Sequence, residues 1–196
     1  MSKSPEHRAH RAAPRTHHAR RRAFLTAGAA MLASPLLAGS QRALASASAT
    51  RSLSFLHTHT GETLSLVYAQ GSTYVAAALA RVDWLLRDFR NGEVLPIDPQ
   101  LLDQLHAVTA LTGSKAPFEV ISGYRSPATN EALRTRGGGR VATRSLHLEG
   151  RAIDVRLADV PLGDLRDAAL SIKAGGVGFY AESRFVHLDT GRVRRW

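Results

Sequence analysis

Two apolar runs near the end of the chain, residues 177–180 and 185–188, are separated by only four residues. A gap that short suits a hairpin, whereas a parallel crossover needs a dozen residues or more. Upstream, helix-like and strand-like patterns alternate. The closing hairpin therefore favours an α+β fold, a small antiparallel sheet with packed helices, over a doubly wound parallel sheet. Residues 53–57 and 63–68 flank a turn at Thr60-Gly61-Glu62 and read as an earlier hairpin. Across residues 73–90 the apolar side chains Val75, Leu79, Val82, Leu86 and Phe89 recur at helical spacing. Thr73 is the expected cap of that helix, Asn91-Gly92 its stop, and Trp84 and Phe89 fit its buried face. Asp98-Pro99 is expected to open a second helix, with Leu101, Leu102, Leu105, Val108 and Leu111 on its apolar face. A strand over 118–121, a helix starting at Ser126-Pro127, a strand over 152–157 and a helix over 162–172 complete the pattern.

The chain has 196 residues, enough for one domain plus an export signal. It has no cysteine, which excludes disulfides and thiolate metal sites, so any metal must be held by His and carboxylates. The formal charge of +10 points at first to a nucleic-acid binder. Residues 1–45, however, hold eight of the 26 Lys and Arg and one of the 16 Asp and Glu, which leaves 18 basic against 15 acidic side chains in residues 46–196. That near balance argues against nucleic acid as partner, while its small positive excess fits an anionic polymer.

Residues 1–22 are basic and polar, and residues 23–38 are largely apolar and rich in Ala. Such a run is short of the roughly 20 residues needed to span a bilayer. Ala43-Leu44-Ala45 is an A-x-A cleavage site, with Ala45-Ser46-Ala47 as a second choice, so residues 1–45 read as a signal peptide. Arg21-Arg22-Ala23-Phe24-Leu25 resembles the twin-arginine export signal, with Arg20 where Ser or Thr is usual. An ordinary secretory signal with a basic start is the alternative. Either route places residues 46–196 outside the cytoplasm, periplasmic or wall-associated, with no stable membrane insertion once the signal is removed.

The chemistry concentrates in Ser145-Leu146-His147-Leu148-Glu149-Gly150-Arg151-Ala152-Ile153-Asp154 and in Phe185-Val186-His187-Leu188-Asp189. A hydrolytic zinc site takes three protein ligands and leaves one position for water. His147 in a turn, Asp154 on the following strand and His187 on the closing strand supply such a set, and Gly150 permits the bend between the first two. Each of these residues alone is more often a surface or capping side chain; the combination is what points to a metal.

The pattern Ser145-x-His147-x-x-Gly150-x-Ala152-x-Asp154, followed late by His187, resembles the M15 peptidases, and among them the murein endopeptidase K group. Further likeness lies in Leu56-His57-Thr58, Thr60-Gly61-Glu62, Phe89-Arg90, Ile97-Asp98-Pro99, residues 121–126, 174–178 and 186–191, covering nearly all of residues 46–196. The resemblance implies a hedgehog/D-Ala-D-Ala peptidase-like fold and zinc held by His147, Asp154 and His187. It also implies hydrolysis of cross-links or stem peptides of peptidoglycan. Arg125, after the strand at 118–121, then borders the site, where a guanidinium binds a substrate carboxylate or steadies an oxyanion. Ser145 either donates to the substrate or fixes its turn. Some M15 members carry a Glu three residues before the last His ligand; Arg184 stands there in this chain. The general base is therefore assigned to Asp189 first and to Glu182 second, with orientation of a ligand as the other reading of Asp189. A zinc-containing wall-binding protein without catalysis is the alternative function. His57 and His59 read as solvated hairpin residues, and residues 136–143 as a Gly-rich basic flap.

Overall fold

The computed structural model describes residues 49–136 and 142–196. The expected signal peptide and the middle of the Gly-rich loop lie outside the described residues.

Strands β1 (Thr50–His57) and β2 (Thr63–Gln70) form the expected hairpin, and β3 (Thr73–Tyr74) extends it. Helices α1 (Ala76–Leu85) and α2 (Pro99–Thr112) follow, then β4 (Phe118–Ser122) and helix α3 (Pro127–Arg136). A single 3₁₀ turn, Leu146–Glu149, leads into β5 (Ala152–Leu157). Helix α4 (Leu162–Ile172), β6 (Gly176–Tyr180), β7 (Phe185–Asp189) and β8 (Arg194–Arg195) complete the order.

Among the described residues the strands make one eight-stranded sheet in the order β3-β2-β1-β4-β5-β7-β6-β8. It is mixed, which corrects the expectation of a small antiparallel sheet. β1 runs parallel to β4, and β6 parallel to β8. The segment between β1 and β4 carries two helices and is long enough for a crossover, which lets those strands align in parallel. The α+β class holds, with β6 and β7 paired antiparallel as expected.

Strand alternation divides the sheet into two faces. Ile153, Val155 and Leu157 of β5 share a face with Val186 and Leu188 of β7 and with Phe118 and Val120 of β4, and all of them are buried in the core. Helices α2 and α4 pack on that side, against each other and against β1 and β5–β7. Ala152 and Asp154, His187 and Asp189, and Gly176 and Gly178 fall on the opposite face. The core is thus built on one side of the sheet, and the candidate chemistry is gathered on the other.

Helix α2 begins as expected: the Asp98 carboxylate accepts the Gln100 N–H at 3.0 Å, Pro99 lies in the first turn, and Gly113 ends the helix in the left-handed conformation. Its residue Leu111 is 59% exposed and does not belong to the buried face. The first helix is shorter than expected at both ends. Thr73 pairs with β2 instead of capping, and the Tyr74 hydroxyl donates to Asp103 of α2 at 2.6 Å. At the other end the Leu86 carbonyl accepts from the Tyr124 N–H at 2.8 Å rather than continuing the helix. The buried Asp88 carboxylate then takes the N–H groups of Arg90 and Ser126 at 3.1 and 2.9 Å. Trp84 is 56% exposed, and Phe89 lies beyond the helix, stacked on His59 with ring centroids 4.4 Å apart. Nor is His57 solvated: it is fully buried, with Nδ1 accepting the N–H groups of His59 and Thr60 to close the β1–β2 turn.

Candidate metal centre

Cross-strand pairing builds the centre. Asp154 of β5 is the direct partner of His187 of β7, and Ser122 of β4 pairs with Asp154 on its other side. Directly opposed side chains on one face have Cβ atoms about 5 Å apart, so the ligand candidates converge without long reach. His147 arrives from the 3₁₀ turn, which Gly150 closes in the left-handed conformation (φ 66°). A Cβ at Gly150 would lie 2.3 Å from the Pro96 carbonyl oxygen, so the bend that aims His147 at Asp154 needs glycine twice over.

His147 Nε2, His187 Nδ1 and Asp154 Oδ1 stand 2.8–3.2 Å from one another, and all three residues are buried. Their outer atoms fix which nitrogens are free. His147 Nδ1 lies 2.6 Å from the Gly123 carbonyl, which can only accept, so Nδ1 carries the proton and Nε2 presents its lone pair. His187 Nε2–H donates to Asp189 Oδ2 at 3.1 Å, which leaves Nδ1 as the free nitrogen. Three acceptors this close repel unless a proton or a cation sits among them. Burial pushes the His147 pKa down and keeps that ring neutral. For His187 burial acts in the same direction, but its bonds to Asp154 and Asp189 outweigh it and raise the pKa. Burial also opposes charge on Asp154, yet His147 and His187 hold its carboxyl well below the usual carboxylate range. A His147 nitrogen with a free lone pair, a His187 nitrogen whose proton a cation would replace, and one carboxylate fit a divalent metal.

Asp189, the first candidate for general base, is fully buried behind His187. Its Oδ1 accepts from the N–H groups of Gly176 and Gly191 and from Arg194 Nη1 at 2.9–3.0 Å. Its Oδ2 accepts from His187 and from Arg194 Nη2 at 2.7 Å. Burial works against its charge, but these donors hold its pKa far below the usual range. Arg125 donates from Nη2 to Asp154 Oδ2 at 2.7 Å and from Nε to Ser122 Oγ at 3.0 Å. Two of its five N–H donors are used, and the guanidinium also borders the cleft. Ser145 precedes the 3₁₀ turn, makes no side-chain cap bond, and faces the cleft. Glu182, the second candidate base, is exposed in the β6–β7 turn and lines the same cleft.

That cleft, about 800 Å³, opens over His147, Asp154 and His187. Arg125, Arg144 and Ser145 lie along it, as do Tyr180, Phe185 and Trp196. The sequence reading missed Arg194 and Trp196. The one hint to them was Gly176 and Gly178, two missing side chains on the site face that leave room for a neighbour.

A family model described as Peptidase M15_2, "Peptidoglycan L,D-endopeptidase MepK", matches residues 45–196. The chain belongs to this peptidase family. It is 40% identical over 178 residues to "Peptidoglycan L,D-endopeptidase MepK" of Escherichia coli (strain K12), covering 91% of this chain and 97% of the relative. A protein of the same name from Shigella flexneri matches equally. The "Probable peptidoglycan L,D-endopeptidase MepK" of Haemophilus influenzae is 40% identical over 177 residues, 90% of this chain and 95% of its own length. Membership of Peptidase M15_2 makes the chain a peptidase, and His147, Asp154 and His187 are its candidate metal-holding set.

Proposed function

We propose that the chain is an exported zinc L,D-endopeptidase of peptidoglycan, with residues 1–45 as a twin-arginine-type signal and residues 46–196 as the enzyme. The observation that carries the reading is the convergence of three buried ligand atoms whose outer hydrogen bonds leave each with a free lone pair. The names of the relatives support the substrate class, and a wall substrate places the enzyme in the periplasm or at the wall.

His147, Asp154 and His187 hold the zinc ion. Bound there, zinc supplies Lewis acidity for polarising a peptide carbonyl and activating water. Arg125 holds Asp154 Oδ2, which leaves Oδ1 turned toward the two His rings, and its remaining N–H groups meet the carbonyl or a carboxylate of the peptide. The Ser145 hydroxyl, free of a capping role, donates to the substrate backbone. Asp189 fixes the His187 tautomer, because all its bonds point to His187, Arg194 and backbone N–H groups. The proton transfer then falls to Glu182, the cleft-lining carboxylate that is not in the ligand set.

Arg184, standing where some M15 members keep a Glu, favours one competing reading, a zinc-bearing wall-binding protein without catalysis. Purified cross-linked muropeptides separate the two. The endopeptidase converts dimers to monomers, and Glu182→Gln slows turnover by about a hundredfold or more while the protein still binds zinc. Folded, zinc-loaded protein that binds dimers and leaves them intact would establish the wall-binding reading instead.

A further inference from the structure

Residues 194–196 pack over the site face. Arg194 grips both oxygens of Asp189, which orients His187. Two residues on, Trp196 brings its ring to 5.2 Å from the His187 ring, centroid to centroid. The indole is firmly placed: its Nε1–H donates to the Tyr180 hydroxyl at 2.8 Å, and its backbone carbonyl accepts from Phe179 at 3.0 Å. The ring occupies the space over Gly178, the cross-strand partner of His187, where a Cβ would lie 2.7 Å from the indole. The Arg194 guanidinium lies 4.8 Å from the ring centroid. With these partners Trp196 is still 48% exposed, and it lines the cleft. Tyr180 and Phe185, a stacked cross-strand pair with centroids 4.6 Å apart, continue the same wall.

The cleft lining is therefore mixed. Arg125, Arg144 and Ser145 line it with cations and a hydroxyl, and Trp196, Tyr180 and Phe185 line it with aromatic rings, with Arg194 beside the indole and Glu182 in the turn between Tyr180 and Phe185. A rigid indole beside a metal ligand, held at its edge and open on its surface, is suited to apolar contact with substrate. We infer that Trp196 is a specificity-determining residue that packs the aliphatic side chain next to the scissile bond, while Arg125 and Arg144 take the carboxylates of the peptide. The inference rests on the peptidase reading above and names the part of the substrate that the aromatic wall selects.

The test uses the full chain carrying Trp84→Phe. The chain has two tryptophans, and Trp84 is exposed and outside the cleft, so this change leaves Trp196 as the only indole. Two synthetic stem peptides, identical except for alanine or glycine beside the scissile bond, are titrated by fluorescence and by calorimetry. The alanine peptide is expected to shift the Trp196 emission and to bind about tenfold more tightly than the glycine peptide. Trp196→Ala should reduce that preference to within about twofold, and Trp196→Phe should keep most of it. A purely structural role would weaken both peptides alike and leave the ratio intact. An unchanged emission at saturation, or a preference that survives Trp196→Ala, would overturn the inference. Tight, alanine-selective binding without hydrolysis would sink the endopeptidase reading and leave this wall assigned. Hydrolysis with selectivity unaltered in Trp196→Ala would do the reverse.

Discussion

Asp189 and Asp154 are both buried carboxylates beside His187, yet their surroundings give them different work. Asp154 turns one oxygen to the two His rings and the other to Arg125. Asp189 spends both oxygens on Arg194, backbone N–H groups and the far nitrogen of His187. Asp189→Asn is expected to lower zinc affinity about 10- to 100-fold, measured by competition with a chromogenic chelator, because it loosens the His187 tautomer. Unchanged affinity with lost turnover would return the general-base role to Asp189. His57 offers a separate check on stability. It is fully buried, and burial, reinforced by His59, lowers its pKa from the ordinary 6.5 to about 4. The unfolded chain therefore binds a proton between those values that the folded chain refuses, so stability falls as pH drops from about 6.5 toward 4. The loss is up to about 3 kcal/mol, and denaturation midpoints across that pH range should lose this component in His57→Phe.

Gly150 carries the most exacting local demand among the elements of the site. Its positive φ and the 2.3 Å approach of the Pro96 oxygen leave no room for a side chain. Gly150→Ala should destabilise the fold by about 2–4 kcal/mol in urea titrations and displace His147, so that zinc affinity falls with it. Elements set by local chemistry were legible in the sequence. Asp98-Pro99 marks the start of α2 through a cap bond two residues away, and the short run 118–121 lies within β4. Features set by distant partners were not. β3 exists because Tyr74 reaches both β2 and Asp103, and α1 stops where Tyr124 takes the Leu86 carbonyl. Likewise the spacing of His147, Asp154 and His187 placed the ligand candidates, while the position of Asp189 could not reveal Arg194 clamped across it.

Among the described residues the sheet separates the tasks of stability and chemistry. One face packs α2 and α4 on Val155, Val186 and Leu188, and the other holds the ligands, the oriented His rings and the cleft. That division was hidden in the sequence, because the pairing of β5 between β4 and β7 is a contact between distant segments. It explains how β5 is buried along almost its whole length, apolar toward the helices and polar toward the cleft. The most direct test strips the protein of metal with a chelator and then titrates zinc while following cleavage of muropeptide dimers by mass spectrometry. Activity should be absent without metal, rise linearly and level off at one equivalent of zinc per chain, with no such recovery in His147→Ala. Full cleavage by metal-free protein, or none by the folded protein at any zinc level, would contradict a zinc endopeptidase built on His147, Asp154 and His187.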